Sequence, residues 1–216
     1  PGVYIGSREY FLDYILRSDE ERIEAVTRDI SRFYHTFQIP KNNGYRTIQA
    51  ISSNSELYWL QKKLCQNFLD KIPLPIPTIG FVKEESYLTF LKPHIGKRYY
   101  LRLDIQSFFD SITENMLRRR FGEFFAENEP KNLEDFLTLC TYQGRVPQGA
   151  VTSPAISNVV FRQTDQRILK YCQSFDFSYR TGEKLTEDIC YTRYADDMLF
   201  SSNCLDFSNN AYFIGM

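Results

Sequence analysis

The sequence predicts an α+β fold in which an antiparallel sheet is backed by helices. Three observations carry that expectation. Residues 98–106 alternate strictly: Tyr99, Leu101, Leu103 and Ile105 share one face and Tyr100, Arg102, Asp104 and Gln106 the other, the period of a half-buried strand. Residues 191–201 set β-branched and aromatic residues on both sides of Ala195-Asp196-Asp197, which reads as a hairpin with two carboxylates at its tip. Several longer stretches space their apolar residues by three and four, the stripe of a helix with one buried face.

Taken in order, residues 8–37 read as one helix, with Ile23, Val26, Ile30, Phe33 and Phe37 on the stripe and Pro40 ending it. Lys41-Asn42-Asn43-Gly44-Tyr45-Arg46-Thr47-Ile48 then gives a hairpin, because Asn-Gly between extended residues favours a tight turn. Its Lys41 and Arg46 form either an exposed charged turn or a pair of cations for an anion, the planar fork of Arg46 matching phosphate. Residues 55–71 repeat the helical stripe with Leu57, Leu60, Leu64 and Phe68, and Pro73, Pro75 and Pro77 make a stiff connector. His94 falls in a polar loop, where a lone histidine is a surface or hydrogen-bonding residue more often than a ligand. After the alternating strand, residues 113–127 predict a helix capped by Thr113, with Leu117, Phe121, Phe124 and Phe125 inward and Arg118, Arg119 and Arg120 off the stripe. Residues 132–143 predict a further helix. The turn-rich run Gly144 to Thr152 leads to Ser153-Pro154, read as an N-cap followed by proline in the first helical position, and that helix extends to about residue 174. Residues 176–188 read as a loop or small hairpin.

Composition narrows the function. The chain has 216 residues, 43% hydrophobic, 25% charged and 16% aromatic, enough for a sizeable core. A net charge of −1 confines any polynucleotide-binding surface to a local patch. Five cysteines without a Cys-x-x-Cys pair predict free thiols in a reducing compartment. No stretch matches a membrane span or signal peptide. The start at Pro1 and the stop at Met216 within ordered-looking sequence read as part of a longer protein.

The chemistry rests on acids. A solvated turn is the common setting for an Asp-Asp pair, and nothing in the local pattern offers either acid a fixed basic partner. If the strand bearing Asp104 and the hairpin bearing Asp196 and Asp197 are neighbours, however, three carboxylates converge. With no clustered His or Cys, such a set suits Mg²⁺ or Mn²⁺ rather than zinc. Two such ions about 3.5–4 Å apart stabilise both the attacking and the leaving oxygen of a phosphoryl displacement. A basic hairpin suited to a triphosphate completes the outline of a nucleotidyl transferase.

Four motifs in order then resemble bacterial reverse transcriptases of the retron and phage-defence type. They are Lys41-x-x-Gly44-x-Arg46-x-Ile48, Leu103-Asp104-Ile105-x-x-Phe108-Phe109-x-Ser111-Ile112, Gly144-x-x-Pro147-Gln148-Gly149-Ala150-x-Thr152-Ser153-Pro154-x-x-Ser157-Asn158, and Tyr194-Ala195-Asp196-Asp197. The resemblance implies a right-hand polymerase with fingers over 1–97, palm over 98–216 with some fingers elements at 113–143, and a thumb missing after 216. It implies that Asp104, Asp196 and Asp197 are catalytic, with the Ile105 backbone beside them at the metals. Lys41, Arg46, Phe109, Gln148 and Gly149 would then meet the incoming dNTP, with Phe109 as the ring that clashes with a ribose 2′-OH. Pro147, Ser153, Pro154 and Tyr194 would meet template or primer. Two Mg²⁺ ions, or Mn²⁺, are implied as cofactors. A structured non-coding RNA, its DNA product and an effector protein are implied as partners, in the bacterial cytoplasm and in anti-phage defence. Where the family commonly has Asn-Ala-x-x-His, this chain has Phe90-Leu91-Lys92-Pro93-His94 and keeps only the histidine. Template-independent or protein-primed synthesis, and a non-catalytic RNA- or partner-binding scaffold, are the alternatives on the same fold.

Overall fold

The computed structural model describes residues 3–41, 44–174 and 189–209. Along them run a π-wound helix at Tyr10–Leu16, then α1 (Glu20–Thr27), β1 (Tyr34–Lys41), β2 (Gly44–Ile51), α2 (Glu56–Asn67), α3 (Tyr87–Leu91), β3 (Tyr99–Asp104), α4 (Phe108–Ser111), α5 (Glu114–Phe121), α6 (Pro130–Cys140), α7 (Ser153–Ser174), β4 (Cys190–Tyr194) and β5 (Asp197–Ser202). The mixture is α+β with antiparallel sheets, as expected from the sequence. The loop or hairpin expected at 176–188 lies outside the described residues. The chain divides into two units, Pro1–Pro73 with Ser107–Val160 and Leu74–Gln106 with Phe161–Met216.

The first unit is mostly helical and departs from the sequence reading at its start. The single helix expected over 8–37 is four separate elements: the π-wound helix, α1, a short 3-10 turn at Ile30–Phe33 and the start of β1. Arg17 closes the π-wound turn at a φ of 50°. Asp19 then starts a new helix by accepting a hydrogen bond from the Arg22 amide at 2.9 Å, the competition a short carboxylate offers at a helix start. Ile23 and Val26 are buried as the stripe requires, but Phe37 belongs to β1, paired with Ile48 across the β1–β2 ladder. The spacing of 30, 33 and 37 suited a helix, and the hairpin ladder overrode it. The α2 and α5 predictions hold, with Ser55 capping α2 and Thr113 capping α5. Phe68, buried, stacks edge-on or tilted against Phe121, Phe124, Phe125 and Phe136 at ring distances of 5.6–6.3 Å. Burying such a ring contributes roughly 2–3 kcal/mol.

The second unit holds a three-stranded antiparallel sheet in the order β3-β5-β4. The alternation of β3 is realised. Tyr99, Leu101 and Leu103 pack on a core of Ile168 and Cys172 from α7 with Ile189, Tyr191 and Phe200, while Tyr100, Arg102 and Asp104 are exposed on the other face. None of the five cysteines is in a disulfide, and no described helix is long and apolar enough to cross a membrane.

Candidate active site

The strand register gathers the acids. Asp104, exposed at the end of β3, lies opposite Asp197, the first residue of β5. One step further, the Ile105 amide donates to the Asp196 carbonyl at 3.0 Å. Asp104, Ile105, Asp196 and Asp197 therefore share one end of one sheet. Asp196 occupies the turn itself, next to Ala195 with its left-handed φ of 56°.

That turn is fixed from beneath by an ion pair. Arg193 and Asp165 are both 0% exposed. Arg193 donates from Nε at 2.9 Å and Nη2 at 2.8 Å to the Asp165 carboxylate, and from Nη1 at 2.9 Å to the Ala195 carbonyl. Asp165 also accepts from Thr78 Oγ1 at 2.9 Å and from the Tyr191 hydroxyl at 2.7 Å, so the buried charge is satisfied on every side. Burial, reinforced by the neighbouring carboxylate, pushes the Tyr191 phenol far up, which keeps it a donor. A second brace comes from residues 77–80. The Arg193 amide donates to the Pro77 carbonyl at 2.7 Å, and the Ile79 amide donates to the Arg193 carbonyl at 2.9 Å. A Cβ on Gly80 would stand 2.4 Å from the Ala195 nitrogen, so only glycine lets this segment lie against the turn.

His94 is buried rather than at the surface, 2% exposed, and ties the two strands of the acidic hairpin together. Thr192 Oγ1 donates to the Phe90 carbonyl at 3.0 Å and has its proton engaged there. His94 Nε2, 2.8 Å away, must therefore be the donor to Thr192, and Nδ1 the acceptor from Ser201 Oγ at 2.7 Å. Burial, with a smaller contribution from Lys97, lowers its pKa from 6.5 to about 4.

Asp197 departs from expectation. The sequence offered it no basic partner, yet Arg102 grips both its oxygens, Nε and Nη2 each at 2.8 Å. The bond to Asp197 raises the Arg102 pKa. The three carboxylates therefore reach one sheet end without forming one cluster, and among the described residues no group of three Asp, Glu, His or Cys side chains is assembled to hold a metal. Tyr194 is half-buried against Tyr87 and Phe90, with ring centroids 5.4 and 5.9 Å away.

The other residues singled out from the sequence lie in the first unit. Arg46 is exposed on β2, and Lys41 ends β1. The Gln49 amide of β2 donates to the Gln148 carbonyl at 2.8 Å. Gly149, at a φ of 123°, lies so close to β2 that a Cβ would meet Ile48 Cγ2 at 3.0 Å and the Gln49 carbonyl at 3.1 Å. The turn-rich loop and the basic hairpin are thus joined. Ser153 is not the N-cap that was expected. It is the first residue of α7, 1% exposed, and its hydroxyl donates to the Pro147 carbonyl at 2.6 Å, so both residues shape the loop from inside. Pro154 follows in the first turn, half-exposed, and Phe109 is half-buried against Phe108 at 5.2 Å.

Residues 39–206, most of the chain, match the family model described as reverse transcriptase (RNA-dependent DNA polymerase). The chain belongs to the reverse transcriptase family. Retron Ec86 reverse transcriptase of Escherichia coli is 32% identical over 174 residues, covering 80% of this chain and 50% of its own. Retron Mx65 reverse transcriptase of Myxococcus xanthus is 32% identical over 193 residues, with 82% and 42% covered. Retron Ec73 reverse transcriptase of Escherichia coli is 31% identical over 174 residues, with 76% and 51% covered. The chain spans about half the length of these curated relatives. Among solved structures, a Sicinivirus 3Dpol RNA dependent RNA polymerase matches at a TM-score of 0.45 and 15% identity, over 84% of this chain and 42% of that one.

Reverse transcriptases as a family use divalent metal ions, and the donors at this sheet end suit one. Asp104 and Asp196 offer solvent-reachable carboxylates, and Ile105, next to Asp104 in sequence, is joined through its amide to the Asp196 carbonyl. An all-oxygen set is what a hard cation takes.

Four residues escaped the sequence reading as contributors here: Asp165, Arg193, Arg102 and Gly80. Two left a signal. Asp165 falls three, four and seven residues before Ile168, Leu169 and Cys172, an acid on an apolar stripe, which demands a buried partner. Arg102 shares the polar face of β3 with Asp104, within diagonal reach of a neighbouring strand.

Proposed function

We propose that this chain carries the fingers and palm of an RNA-directed DNA polymerase that copies a structured non-coding RNA into DNA by two-metal nucleotidyl transfer. The observation that carries the reading is the register that sets Asp104 opposite Asp197 and bonds Ile105 to Asp196. Asp104, Asp196 and the Ile105 carbonyl would hold the Mg²⁺ ions, and Asp197 would act less directly near the primer end. Bound there, the metals supply charge stabilisation to the entering and leaving oxygens. The chain's own part is to keep two carboxylates at one point without reorganisation, which the Arg193–Asp165 pair under the turn supports.

In this assignment residues 1–97 would be fingers and 98–216 palm, with some fingers elements at 113–143. Lys41 and Arg46 would grip the triphosphate, Gln148 and Gly149 would flank the nucleotide, and Phe109 would exclude the 2′-OH. Pro154 and Tyr194 would border template and primer, with Pro147 and Ser153 shaping the loop. Retron likeness supports the non-coding RNA template, and with it a cytoplasmic bacterial setting and an effector partner in anti-phage defence.

The test is dNTP incorporation by the full-length protein, with and without RNA template. Asp196→Asn should lose at least about a hundredfold in rate, the few kcal/mol that correctly held charge contributes to the transition state. Equal incorporation by the variant refutes the polymerase reading. Template-independent incorporation by the native enzyme replaces RNA copying with untemplated synthesis.

A further inference from the structure

We infer that Arg102 is an internal counter-ion that withholds Asp197 from the divalent-cation site, leaving Asp104 and Asp196 as the free carboxylate ligands. The inference rests on the polymerase reading above and adds a residue that sets how strongly the site holds its cation.

Three observations carry it. First, the guanidinium engages both Asp197 oxygens in a fork, so no oxygen of that carboxylate remains without a charged donor. Among the described residues Asp104 and Asp196 enter no ion pair, although all three acids share one sheet end. Second, the two partners differ in setting. The Asp197 side chain is 19% exposed and Arg102 60% exposed. The carboxylate is held by the sheet while the arginine reaches in from solvent, the arrangement of a releasable partner rather than a structural one. Third, the fork follows from β3 and β5 alone. Asp104 pairs with Asp197 and Arg102 with Leu199, so Arg102 reaches Asp197 along the diagonal on the sheet's polar face. A cation at Asp104 must therefore compete for Asp197 against two charge-assisted hydrogen bonds. Without Arg102, a third carboxylate would be open to it.

The experiment is Mn²⁺ titration of the full-length protein without nucleic acid, following free Mn²⁺ by electron paramagnetic resonance. Arg102→Gln should tighten Mn²⁺ binding about tenfold, one unit charge removed and one ligand released. Arg102→Lys, which keeps the charge but loses the fork, should fall between it and the native protein. Asp197→Asn should weaken binding, because it removes a negative charge and leaves the Arg102 cation facing Asp104. In that background Arg102→Gln should tighten binding less than it does alone, since no carboxylate is released. Equal tightening in both backgrounds overturns the inference, because it reduces Arg102 to bulk charge. Unchanged binding in Arg102→Gln, with binding weakened in Asp104→Asn, also overturns it while leaving the metal reading intact. Native-like Mn²⁺ binding by Asp104→Asn removes that reading itself.

Discussion

The hairpin of β1 and β2 and the hairpin of β4 and β5 are both antiparallel ladders of five to eight residues a strand, but their surroundings differ. On the first, Phe37, Ile39 and Tyr45 are 48%, 45% and 71% exposed. On the second, Tyr191, Thr192, Arg193, Leu199, Phe200, Ser201 and Ser202 are all buried. The base of the first ribbon is held by the Gln49–Gln148 bond and the close approach of Gly149. Its tip has little packing around it, and such a stretch opens at low cost. The acidic hairpin is braced by the Asp165 carboxylate, by His94 and by the segment holding Gly80. The difference fits the division of labour proposed here: a ribbon that must accommodate a nucleotide can yield, whereas carboxylates that hold metal ions must not.

The sharpest way to break that comparison is to remove the brace under the acidic turn. Arg193→Met leaves Asp165 buried with its charge uncompensated, and the cost should be about 3–5 kcal/mol, read as a large fall in the denaturant midpoint. A loss below about 1 kcal/mol would mean that solvent reaches Asp165 and the turn is no more enclosed than the ribbon. The pair was only half legible in the sequence. Asp165 announced itself by interrupting an apolar stripe, but Arg193 stood among strand formers, where nothing local distinguishes a buried guanidinium from an exposed one. For the same reason the link from Arg102 to Asp197 could not be read locally, since it depends on which residue β5 sets opposite Asp104. What the sequence did carry was periodic. The alternation of β3, the stripes of α2 and α5 and the Asp-Asp break each follow from a repeat of two or about three and a half. The 8–37 stretch failed at two places: Asp19 starts a new helix after the left-handed Arg17, and the spacing of 30, 33 and 37 suits a helix that only pairing with β2 overrules.

A smaller effect separates the hairpins by pH. His94 is held neutral in the folded protein, with its pKa down at about 4, while the unfolded chain takes up its proton near 6.5. The stability from this arrangement is therefore complete above pH 6.5 and is lost as pH falls towards 4. Between about pH 7 and pH 5 the native protein should lose roughly 2 kcal/mol that His94→Gln does not lose, the equivalent of one and a half pKa units. The comparison is the difference in unfolding free energy between the two proteins at each pH. Parallel pH profiles would show that His94 is protonated in the fold and that its bonds to Thr192 and Ser201 do not enclose it.

The ribbon should barely register a change that would be costly on the other hairpin. Tyr45 pairs with Pro40 near the tip of β1–β2 and is 71% exposed. Tyr45→Ala removes a large ring, yet little of its area leaves water on folding, so the transfer contribution is small and no cavity forms. Cross-strand contact is worth a few tenths of a kcal/mol at such a site. The expected change in unfolding free energy is within about 0.5 kcal/mol, the range of an ordinary surface substitution. A loss beyond about 1.5 kcal/mol would mean that the ribbon packs against something in the full-length protein, and flexibility could no longer explain its exposure. Paired with the Arg193 result, the measurement asks whether enclosure, rather than ladder length, distinguishes the two hairpins: the longer ladder is predicted to be the more tolerant one, and only packing beneath the acidic turn accounts for that order.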